Sequence, residues 1–239
     1  MAAGVEEEFQ IVDLATRQLT ARAGEVMDQL PAGSFSAELQ RSVLEANSRP
    51  WTRLTDLAED LAALRRAAIA AAGPLGLGIG AAGTVPLADP GTVQVTSDPR
   101  YEHIREEYQM LAREQLICGT QVHVDVADRD LAIAVARRVA PWRAARSGLE
   151  GDLVGPVTAS AVPAGRLIGQ LLAGLRPALE SAGDWELVGE LTRSALARGS
   201  SAARQRAARA SGGLRNVVDN LVVETRATPP WLRGAKLAA

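Results

Sequence analysis

The chain has 239 residues, 47% of them hydrophobic and 23% charged, with a net charge of −2. That balance describes a globular protein able to bury its own core, and it offers no electrostatic reason to expect nucleic acid or an anionic membrane as partner. Cys118 is the sole cysteine, which excludes an internal disulfide and points to a reducing, cytoplasmic setting; no basic-then-apolar leader opens the sequence.

The first predicted element is a strand in GVEEEFQIVD, Gly4 to Asp13. Alternation along a strand puts Glu6 and Glu8 on one face and Glu7 on the other. DLATRQL then reads as a turn, RAGEVMDQL as a short helix and RSVLEANS as a second strand, with Glu45 and Asn47 sharing a face. Leu54, Leu57, Leu61, Leu64 and Ala68 recur at helical spacing from Thr52 to Ala72, and Gly73-Pro74 ends that helix. The same Gly-Pro break, in the most apolar stretch of the chain, argues against a membrane span. LGLGIGAAGT is a glycine-rich buried strand. Its GIGAAG matches the dinucleotide-binding glycine pattern, but Thr84-Val85-Pro86 follows where a helix must begin, so close packing explains the glycines better.

DPRYEHIREEYQMLAREQL is predicted as one helix with Asp98 as N-cap. The strand ICGTQVHVDVADRD follows, with Gln121, His123 and Asp125 on one face. DLAIAVARRVA is helical up to Pro141. Beyond Trp142 three helical segments succeed one another, and the tail from about residue 227 is expected to be loose. The reading is therefore an α+β chain, with a sheet part over 1–141 and a helical part over 142–239. No internal repeat is visible.

Three strands thus carry oxygen or imidazole groups at a spacing of two. If they neighbour each other in one antiparallel sheet, Glu6, Glu8, Glu45, Gln121 and His123 converge into a patch of hard ligands suited to Mg²⁺ or Mn²⁺. The competing explanation for the acidic opener is a solvated edge strand whose charges discourage pairing. Cys118 has no cationic context and reads as buried and inert. Arg198, Arg204, Arg206 and Arg209 form either a phosphate-holding group or a wet helix face.

Together GVEEEFQIVD, LEANSRP, AAGTVP, DPRY, AREQLICGTQVHVDV and ARGSSAARQR…VVDNLV resemble, in order, the carboxylate-amine ligases called glutamate–cysteine ligase type 2. The resemblance implies a glutamine synthetase-like fold, an antiparallel sheet curved into a half-funnel with helices outside. It implies ATP-dependent joining of a glutamate-like carboxylate to an amine such as cysteine, through an acyl phosphate and with Mg²⁺ or Mn²⁺. It casts Glu6, Glu8, Glu45, Gln121 and His123 as metal ligands, and Asn47, Arg100 and Arg204 as ATP or substrate contacts. Members carry a long middle section that is missing here, where RRVAPW runs into WRAARSGLEG across Trp142. The sheet would then be open on one side, which suggests a homo-oligomer or a complementing subunit. The alternative to a ligase is a catalytically silent assembly subunit that completes its sheet with another protein.

Overall fold

The computed structural model describes residues 2–84, 87–89, 91, 93–138, 164–198 and 201–227. The Trp142 join and the tail beyond residue 227 lie outside the described residues. By compactness the chain forms two units, one of Met1–Asp125 with Ala207–Ala239, the other of Val126–Arg206.

In the first unit, strand β1 (Ala3–Asp13) is the spine of an open antiparallel sheet. Strand β3 (Val43–Asn47) lies along one side of it, with the three-residue β2 (Phe35–Ala37) beyond. On the other side β5 (Thr120–Val124) pairs with residues 3–7 of β1, and β4 (Leu77–Gly80) pairs with residues 10–13. Phe9 sits opposite Leu44, and Ile11 opposite Ile79, on one face of this sheet. Those four and Leu77 are at most 1% exposed. Each such burial contributes about 1.5–3 kcal/mol.

Helices cover that face. Leu64, Ala68, Ala71 and Ala72 of α2 (Leu54–Ala72) and Ala23 and Val26 of α1 (Ala23–Met27) complete the core. The small residues of α2 let its axis approach the sheet closely. After Ala72 a short 3₁₀ turn, Gly73–Leu75, ends at Gly76 in the left-handed region, where glycine carries no Cβ penalty. Glu7 also points to this face. It is buried, and Arg65 of α2 grips it with two guanidinium contacts.

The opposite face is polar at the start of β1 and apolar at its end. There Val12 packs on Val218 and Val222 of α8 (Ser201–Arg226). Helix α8 is interrupted at Gly212 and Gly213, the latter at φ 72, and Asn216 Nδ2 donates to the Ala208 carbonyl across the break at 2.9 Å. The backbone N–H of Ala81, just past β4, donates to Thr225 Oγ1 at 2.9 Å. In the glycine-rich motif it is Gly78 that close packing requires. A Cβ on Gly78 would lie 2.8 Å from Leu14 Cδ2 and 3.2 Å from the γ-carbons of Val222.

The helix expected from Asp98 to Leu116 is two helices, α3 (Pro99–Tyr108) and α4 (Met110–Glu114), separated by Gln109 at φ 42. The break accompanies burial of Ala112, whose carbonyl accepts a 2.6 Å bond from the buried Gln40 amide. Asp98 caps α3 through a 2.8 Å bond from the Arg100 N–H. The second unit holds α5 (residues 129–138), α6 (Ala164–Ala182), α7 (Trp185–Arg198) and the opening of α8. Gly183 at φ 76 turns the chain between α6 and α7. Among the described residues no helix is long and apolar enough to cross a membrane.

Gly78→Ala forces Leu14 and Val222 apart and is expected to cost about 1–3 kcal/mol in urea unfolding. Gly80→Ala, where a Cβ meets nothing within 4 Å, should stay within about 0.5 kcal/mol. Equal effects at the two positions would contradict this packing.

Candidate functional site

The antiparallel register sets Glu8 of β1 directly opposite Glu45 of β3, and Glu45 opposite Ser36 of β2. Glu38 follows β2 two residues after Ser36 and so emerges on the same side. Carboxylate oxygens of Glu8, Glu38 and Glu45 come within 4.8 Å of one another. Neutral donors hold each of them. The Gly119 N–H donates to Glu8 at 2.9 Å, and the Leu39 N–H to Glu38 at 3.0 Å. Ser36 Oγ donates to Glu45 at 2.7 Å, and Asn47 Nδ2 donates both to that Ser36 oxygen at 2.8 Å and to Glu45 at 3.2 Å.

Directly opposed like charges destabilise a sheet. Burial lifts the Glu8 carboxyl above the usual range, against the Gly119 N–H, and the Glu45 and Glu6 charges add to the rise. Burial likewise raises Glu38, reinforced by Glu45 and Glu8. Three oxygen donors, oriented by uncharged groups and short of positive charge, fit a hard divalent cation such as Mg²⁺ or Mn²⁺.

Of the residues singled out in the sequence, Glu8 and Glu45 belong to this cluster. Glu6 lies one position along the same face, with its Oε2 at 3.1 Å from His123 Nε2. Gln121 of β5 faces Glu6 across the strands, as Asn47 does from the other side. A groove of about 340 Å³ opens there, lined by Glu6, Asn47, His123 and Asp125. Arg100 lies in the first turn of α3, its guanidinium 5.4 Å from the Tyr101 ring. Arg204 is a half-buried residue of α8 in the second unit. Cys118 is half-buried, and burial pushes its thiol far above the ordinary range.

Sequence reading missed Glu38, because a three-residue β2 gives no periodic signal. The spacing of Ser36 and Glu38 is the only hint. Tyr101 was missed too. Its hydroxyl donates to the Ala37 carbonyl at 3.2 Å, and burial and the nearby Glu38 charge raise its pKa.

Comparison with known proteins shows the family. Residues 2–143 match the glutamate-cysteine ligase family 2 (GCS2) pattern. Proteins named "Putative glutamate--cysteine ligase 2-2" from Frankia casuarinae and Mycolicibacterium smegmatis are 35% and 33% identical to this chain, over 100% and 93% of it. These alignments take in 43% of the Frankia protein and 89% of the Mycolicibacterium one. A third relative, from Frankia alni, is 35% identical over 96% of the chain and 42% of its own length. The chain belongs to glutamate-cysteine ligase family 2 and spans less than half the length of the two Frankia relatives. The first alignment runs over 370 positions against 239 residues, so at least 131 of its positions are gaps in this chain.

A raised carboxyl favours folding while protonated. The stability that Glu8 and Glu38 contribute is therefore present below the unfolded value, about 4.3, and is lost as pH rises through their raised folded values. Urea titrations of the metal-free chain should show this loss. Glu8→Gln or Glu38→Gln should flatten the pH profile, and added Mg²⁺ should restore stability at neutral pH in the unsubstituted chain.

Proposed function

We propose that this chain carries the nucleotide and metal site of an ATP-dependent carboxylate–amine ligase, acting on a glutamate-like carboxylate and an amine such as cysteine in the cytoplasm. The observation supporting it is the gathering of Glu8, Glu38 and Glu45 on β1, β2 and β3 in a member of this family. These residues would hold Mg²⁺ or Mn²⁺. When bound, such an ion neutralises phosphate oxygens as charge moves to the leaving group.

In this reading the substrate carboxylate oxygen attacks the γ-phosphorus of ATP and ADP leaves. The amine nitrogen then attacks the acyl carbon, loses a proton, and phosphate departs. Catalysis of this kind is mostly positioning and charge stabilisation. The chain's own contribution begins with a fixed geometry. Asn47 and Ser36 orient Glu45, and the Gly119 N–H orients Glu8. Glu6 and His123, with Gln121 beside them, border the groove where a substrate ammonium or further phosphate oxygens would lie. By the resemblance alone, Arg100 and Arg204 would be contacts to phosphate or carboxylate.

Calorimetry with ATP should detect binding that requires Mg²⁺. Glu8→Gln or Glu45→Gln should abolish it, and Asn47→Ala, which releases Glu45, should weaken it about 10–100-fold. Coupled ADP release with glutamate and a panel of amines tests the chemistry. Nucleotide affinity indifferent to Mg²⁺ and to Glu45 would overturn the reading.

A further inference from the structure

We propose that the outer edge of β5, with the apolar groove between β5 and α2, is a docking surface for a strand-bearing segment of a second polypeptide, equivalent to the segment that the relatives have and this chain lacks. The argument begins with main-chain hydrogen bonds. The Asp125 N–H donates to the Ala2 carbonyl, and the Glu8 N–H to the Gly119 carbonyl. Odd-numbered residues of this stretch therefore turn their peptide groups toward β1. Thr120, Val122 and Val124 turn theirs outward, and among the described residues no strand meets them.

Among the described residues nothing guards this edge. The sequence TQVHV contains no lysine, no proline and no carboxylate, the usual means of blocking strand addition. Val122 and Val124 are 61% and 52% exposed. On the same face a groove of about 400 Å³ is walled by Val5, Leu54, Leu57, Leu61 and Val122. An incoming strand would find backbone partners along the edge and apolar contacts beside it, the two components of strand augmentation.

The occupant follows from chain order. The family match ends at residue 143, shortly after β5, and at least 131 alignment positions present in a relative are gaps here. Strands that succeed one another in sequence usually neighbour each other in space, so the first strand of a segment inserted after α5 belongs next to β5. Its strand should alternate, with apolar residues over Val122 and Val124 and polar residues over Gln121 and His123. A second copy of this chain lacks that segment and is not the occupant.

The test is co-expression of the tagged full chain with the gap-aligned segment of the Mycolicibacterium smegmatis relative. Light scattering should give a one-to-one complex. Amide exchange at Thr120, Val122 and Val124 should slow at least tenfold relative to the chain alone. Val122→Pro removes an outward N–H, which edge strands tolerate, and Val122→Glu places a charge at an exposed position. Both should leave the thermal midpoint of the chain unchanged and abolish the complex. Absence of a complex, a complex that leaves those three amides unprotected, or a chain that already dimerises through β5 when alone would each overturn the proposal.

Discussion

The register of β1 against β3 is the constraint on which the rest of this unit depends. It sets Phe9 against Leu44 on one side of the sheet and Glu8 against Glu45 on the other. A slip of one residue would carry the glutamates into the core and Phe9 into solvent. The buried face is what prevents the slip. Hydrophobic burial beneath the sheet thereby forces together, above it, charges that repel.

The three glutamates at the start of the chain show how environment decides the role of one residue type. Glu7 faces the core, is buried, and is neutralised by Arg65 in a pair that ties β1 to α2. Glu8 faces the other way, beside two more carboxylates, and meets only the neutral Gly119 N–H among the bonds described. Glu6 lies next to His123 on the same surface. Protein side chains satisfy the first of these charges. At the cluster around Glu8, the proposed divalent cation would supply the positive charge.

Much of this was legible in the sequence because period-two alternation survives in β1, β3 and β5. The faces of Glu6, Glu8, Glu45 and His123 follow from it directly. What alternation cannot give is which strands adjoin, and so it did not separate a Glu8–Glu45 cluster from a Glu6–His123 pair. Glu38 escaped because β2 is too short to show a pattern and because its carboxylate arrives from a connection. The break at Gln109 was hidden for a different reason: a continuous helical pattern spans it, and only the burial of Ala112 against Gln40 reveals the bend. The glycines of GIGAAG were read as packing glycines, and Gly78 lies against Leu14 and Val222.

The most direct measurement is anomalous scattering from crystals of the chain soaked in Mn²⁺. The account predicts one strong peak among the carboxylates of Glu8, Glu38 and Glu45, absent from crystals of Glu45→Gln. A peak elsewhere, or none while the three carboxylates keep their places, would contradict it.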